Sequence, residues 1–152
     1  MSRGKRRGAA VWFALSLAWT ALIWVHSMVP GPASTSESSF VVQLLAPLFG
    51  MAGVCDRTVM TLLVRKCAHF SEYALLGFLT HGLRSSLPRE SLLPFGLSVV
   101  WAMLAPCLDE TIQLFVPGRA GLVTDVLIDL GGVLVGTLSC HALLRRGRLK
   151  SI

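Results

Sequence analysis

Charge is scarce in this 152-residue chain. Asp, Glu, Lys and Arg make up 14% of it, against about a quarter in ordinary soluble domains, while 53% of the residues are apolar. That scarcity excludes an ordinary soluble domain and points to an integral membrane protein. A dispersed basic surface is missing too. Arg3, Lys5, Arg6 and Arg7 crowd one tail and Arg145, Arg146, Arg148 and Lys150 the other, so the net charge of +6 reads as juxtamembrane anchoring and no nucleic-acid partner is expected. The four cysteines, Cys55, Cys67, Cys107 and Cys140, form no CxxC pair, which excludes the usual zinc and haem patterns and leaves them as free thiols. No internal repeat or low-complexity tract stands out, and the length leaves no room for a second core.

Long apolar runs take the place of the missing charge. Ala9 to Val29 is 21 residues, enough to cross a hydrocarbon core of about 30 Å as a helix. A cleaved signal peptide is the weaker reading, because the run exceeds the usual apolar core of about 7–15 residues and Pro32 is poor cleavage context. Val29 to Ser39 (VPGPASTSESS) reads as a polar, proline-rich turn. Phe40 to Phe49 is too short to span, and reads as an interfacial segment or one packed across the bundle. Three more spans are predicted at about Arg65–Leu83, Ser91–Phe115 and Leu122–Leu144, with Pro106 kinking the third helix and Pro117-Gly118 closing the turn into the fourth.

The expected fold is all-α, an integral membrane bundle of four transmembrane helices over residues 9–144, between basic tails at 1–8 and 145–152. Placing the amino terminus inside leaves ten Lys/Arg on the cytoplasmic side, Arg84 and Arg89 among them, and four outside: Arg57, Arg65, Lys66 and Arg119. Both termini are then cytoplasmic by the positive-inside rule.

Five of the eight acids, Glu72, Asp109, Glu110, Asp125 and Asp129, lie in or beside apolar segments, where an ionised group costs roughly 2.5–3.5 kcal/mol. With the topology above they gather at the outer face with Arg65, Lys66, His69 and Arg119. Arg65, His69 and Glu72 follow i, i+4, i+7 spacing and share a helix face, with Tyr73 one turn beyond His69. Asp109 and Gln113 are a turn apart, with Glu110 beside them. Asp125, Asp129, Gly132 and Gly136 form one stripe, in which carboxylates come first and glycines then let another helix approach.

Three patterns, Arg65-Lys66-x-x-His69-Phe70-x-Glu72-Tyr73-x-x-Leu76-Gly77, Asp109-Glu110-x-x-Gln113-x-x-x-Pro117-x-Arg119 and Asp125-x-x-x-Asp129-x-x-Gly132-x-x-x-Gly136, resemble the VanZ-like family of bacterial membrane proteins over about two-thirds of the chain. The resemblance implies a small multi-helix membrane protein related to the accessory protein that raises teicoplanin resistance. It departs from the family pattern at Asp129, where the family usually carries Asn.

Several functions compete for these residues. In the plainest, Arg65, Lys66 and Arg119 neutralise the acids and lock the helices together. In a sharper one the cluster is an outward-facing site, with Arg65 and Arg119 gripping a phosphate and His69, Glu72, Asp109 and Glu110 as acid/base candidates. Its partners would be membrane lipid, a phospholipid or cell-wall precursor, or a glycopeptide. An activated nucleophile of recognised spacing is missing, which weighs against an enzyme; Ser71 and His69, at i and i+2, point to different faces. Transport ranks below binding, since the inner halves of the helices are apolar. Nearby Arg and Lys would compete with an ion for the carboxylates, so no metal and no cofactor is expected. His26 and Ser27, at the outer end of the first span, have two readings, members of the same cluster or, the favoured one, residues that satisfy backbone or interface water, and Trp12, Trp19, Trp24 and Trp101 read as lipid-facing or interfacial aromatics.

Overall fold

A computed structural model describes residues 3–88 and 92–149. Arg89, Lys150 and Ser91, the first two used in the charge balance and the third as a helix start, lie outside the described residues. Five helices follow in order: α1 (Arg3–Ser27), α2 (Gly31–Met51), α3 (Arg57–Ser86), α4 (Leu92–Gln113) and α5 (Val123–Leu149). Among the described residues there is no strand.

The extra helix, α2, corrects the expected turn at Val29–Ser39 and absorbs the short apolar segment after it. Its prolines start the helix rather than break it. Pro30 is the N-cap and Pro32 falls in the first turn, where a missing N–H removes no intrahelical bond. The hydroxyls of Thr35, Ser38 and Ser39 each donate to the carbonyl four residues back, at 2.8, 2.9 and 2.8 Å, so the polar stretch satisfies itself within the helix. Gly31 N–H donates to the Pro117 carbonyl at 3.0 Å, which ties the start of α2 to the α4–α5 turn. Gly118 holds that turn at φ +74°, a conformation glycine adopts without strain.

α3 is the hub, packing against each of the other four helices. Asp56 caps it by accepting from Thr58 N–H at 2.7 Å. Its most extensive contact is with α5, and glycines make that contact close. A Cβ on Gly136 would overlap the Ala74 carbonyl oxygen, one on Gly132 the Phe70 carbonyl, and one on Gly77 the Val133 carbonyl. Asp129, one turn before Gly132 and Val133, is thereby brought against α3.

Polar and apolar side chains are distributed inside out. Ser16, Thr20, Asp109, Glu110, Gln113 and Asp129 are buried, while Leu17, Leu22 and Val25 on α1, Leu97, Met103 and Leu104 on α4, and Leu127, Leu134 and Leu138 on α5 are exposed. Soluble proteins bury the second kind and expose the first. Two segments, Arg6–Ser27 and Val123–Arg146, are long and apolar enough to cross a membrane. Pro106 lies inside α4 without ending it.

The core is small: Ile23, Tyr73, Leu76, Ala102, Ala105 and Val133, with Trp19, Trp24 and Trp101 packed against it. Those tryptophans therefore turn inward, contrary to the lipid-facing expectation, and pack against a core assembled from four helices. Trp12 likewise sits on the Cα of Gly82 beside Phe78, with ring centroids 6.1 Å apart.

Candidate functional site

Three helices deliver one ionisable group each to a common point, and α4 delivers a second. His69 comes from α3, Asp109 and Glu110 from α4, and Asp129 from α5, and one side-chain donor atom from each lies within 4.8 Å of all the others. His69 Nδ1 is 3.9 Å from Asp109 Oδ2 and 3.9 Å from Asp129 Oδ2. Both of these aspartates are fully buried.

Neighbours hold one side of the cluster. Gln113 Nε2 donates to Asp109 Oδ2 at 3.2 Å and to Glu110 Oε1 at 3.4 Å, as its position one turn past Asp109 allows. Glu110 Oε2 accepts from Leu122 N–H at 2.8 Å and so fastens the start of α5 to α4. Ser27 approaches Asp109 from the end of α1. The other side is bare. His69 Nδ1, Asp109 Oδ1 and both oxygens of Asp129 are buried without a hydrogen-bond partner, although buried polar atoms are nearly always paired.

The plainest expectation meets the structure at Asp125, one of the five acids, and not at this cluster. Lys66 pairs with Asp125 nearer the surface. Arg119 donates from Nε to the Val29 carbonyl at 3.0 Å and from Nη2 to the His26 carbonyl at 3.3 Å, which staples the α4–α5 turn to the end of α1. Burial and the nearby Arg65 lower the Arg119 pKa, but a guanidinium keeps its proton. Arg65 lines the cavity described below. Among the described residues no Lys or Arg forms an ion pair with Asp109, Glu110 or Asp129.

Glu72 and Tyr73 share the helix of His69 but part from it. Glu72 faces α1, where its Oε1 is 3.1 Å from His26 Nδ1, and His26 Nε2 is 3.4 Å from Glu37 Oε2 on α2. Trp19 Nε1 also donates to the Glu72 carbonyl, at 2.8 Å. Tyr73 is buried in the core and its hydroxyl reaches the Ala105 carbonyl at 3.4 Å. His26 and Glu37 thus join a second polar chain linking α1, α2 and α3, which spacing alone did not reveal; the one signal was His26 standing at the same helix end as Ser27.

A cavity of about 280 Å³ opens beside the cluster. Arg65, Lys66, Arg119 and Asp125 line its more exposed side, and His69, Gln113 and Asp129 its deeper side. Its lining contains no serine, threonine or cysteine. Ser71 is exposed and donates to its own helix at the Cys67 carbonyl, at 2.7 Å. All four cysteines are free, with Cys140 buried and the others exposed. Two polar regions and one cavity therefore meet at the same end of the bundle.

A family model described as VanZ/LLP1 matches residues 12–145, nearly the whole chain. No curated protein and no solved structure matches it.

Proposed function

Because the chain belongs to the VanZ/LLP1 family, we propose that it is a multi-pass envelope protein with an accessory role, whose cavity holds the phosphate of an anionic lipid headgroup or lipid-linked cell-wall precursor. In this reading α1, α3, α4 and α5 cross the cytoplasmic membrane, both termini are cytoplasmic and the cavity faces outward. The exposed apolar faces of α1, α4 and α5 support it. So does the length of α3, whose 30 residues extend about 45 Å and exceed the hydrocarbon thickness. α2 then lies on α3 at the outer boundary.

The observation that carries the reading is that Arg65, Lys66 and Arg119 line one cavity and that, with Lys66 on Asp125 and Arg119 on two backbone carbonyls, Arg65 forms no ion pair among the described residues and is open to a phosphate. Guanidinium groups match phosphate oxygens bidentately. A cavity of about 280 Å³ is smaller than those that enclose drug-sized ligands, about 300–1,000 Å³. It suits a headgroup rather than a whole glycopeptide, so an effect on teicoplanin would run through the lipid-linked target.

The test uses the full chain in non-ionic detergent. Short-chain phosphatidylglycerol and an isoprenyl phosphate are expected to bind more tightly than phosphatidylcholine, with Arg65→Ala weakening both by about tenfold. Equal affinity for all three lipids, or no response to Arg65→Ala, would sink the reading.

A further inference from the structure

We propose that His69, Asp109, Glu110 and Asp129 bind one first-row divalent cation of the Mn²⁺ or Zn²⁺ class where α3, α4 and α5 meet. The site rests on the cluster and not on any phosphate ligand, so it stands or falls apart from the lipid reading.

Geometry is the first support. Four residues offer one donor atom each, all within 4.8 Å of one another. With metal–ligand bonds of about 2.1 Å, donors stand about 3.4 Å apart in a tetrahedral site and about 4.2 Å apart across an octahedral one, so the widest pair needs to close by about 0.5–1.5 Å.

The unpartnered atoms are the second support. Asp129 is fully buried and neither of its oxygens has a hydrogen-bond partner; Asp109 Oδ1 and His69 Nδ1 also lack one. Protonation would remove the charge of Asp129 but give its O–H no acceptor at His69 Nδ1, which is 3.9 Å away. A cation satisfies charge and lone pairs together.

The surroundings are those of a ligand set. Gln113 holds Asp109 Oδ2 and Glu110 Oε1, and Leu122 N–H holds Glu110 Oε2, fixing these carboxylates from outside as metal sites require. Among the described residues the cations are not on these carboxylates: Lys66 takes Asp125, Arg119 takes backbone carbonyls, and Arg65 forms no ion pair with any of the three. One imidazole with three carboxylates suits a first-row ion better than calcium or magnesium, whose sites are built from oxygen alone. His69 and Asp129 also line the cavity, which supplies a route for the ion.

The experiment is a titration of the full chain, purified in non-ionic detergent and stripped with EDTA. Mn²⁺ is followed by loss of the free-ion paramagnetic resonance signal and Zn²⁺ by competition with a chromogenic chelator. The expected result is saturable uptake of one ion per chain, with affinity at least about tenfold weaker in Asp129→Asn and unchanged in Glu37→Gln, which lies in the other polar chain. Each variant is checked for monodisperse elution. If Asp129→Asn does not elute as a folded species, the same titration of His69→Gln decides. Uptake of neither ion by the unmodified chain overturns the site, as does unchanged affinity in a folded Asp129→Asn or His69→Gln chain.

Discussion

α3 and α5 meet in two ways along one contact. Toward the middle of the bundle Gly77, Gly132 and Gly136 bring backbone against backbone, with no space for a methyl group. One turn away, His69 and Asp129 face each other at 3.9 Å with polar atoms unpaired. The first region is as tight as sterics permit, and the second is held open by groups that satisfy neither one another nor a cation of the chain. A helix pair this close has little freedom to rearrange, so the glycine seam holds the carboxylates where they would otherwise move apart. Close backbone packing occupies one half of the contact and unpartnered polar groups the other.

The largest effect is expected from closing the seam. Gly136→Leu sets a side chain into the Ala74 carbonyl, and the folded yield should collapse, with destabilisation of about 3 kcal/mol or more measured by thermal unfolding in detergent. Unchanged yield would mean that α3 and α5 are not so close.

Arg119→Ala comes next. It removes charge-assisted bonds to the carbonyls of Val29 and His26 and should cost about 2 kcal/mol, read as a lower unfolding temperature.

Glu110→Gln probes the open half with the tight half intact. Its amide oxygen can still accept from Leu122 N–H, at the loss of the longer bond from Gln113, so membrane levels should stay close to those of the unmodified chain; if the unmodified chain protects the expressing cells from teicoplanin, as the proposed accessory role expects, that protection should be lost. Protection retained at equal levels would separate the cluster from the envelope role. Lys66→Met is the smallest step: the partly exposed pair with Asp125 contributes less than about 1 kcal/mol, so the unfolding temperature should barely move.

The helical class, the two apolar segments at Arg6–Ser27 and Val123–Arg146 and the family were legible because apolar composition and motif spacing are local. α2 was not. Two prolines within three residues read as a break, yet position decides their effect: Pro30 and Pro32 stand at a helix start, and a start is defined by where the chain docks, here against Pro117. The inward tryptophans were missed for a related reason, since the core they pack against is assembled from four separate helices.

Helical spacing located Arg65, His69 and Glu72 on one face but said nothing of which helix each would meet. α3 is surrounded, so adjacent positions on that face look toward different neighbours: Glu72 toward His26 of α1, and His69 toward α4 and α5.

By itself, then, the sequence determined a helical, charge-poor chain with acids set in its apolar segments, because period, hydropathy and motif are properties of neighbouring residues. Only the tertiary structure decided which of those acids go unpaired. Long cationic side chains can reach many partners, and the turn that carries Arg119 to the end of α1, together with the glycines that press Asp129 against α3, left the central carboxylates with no Lys or Arg partner among the described residues.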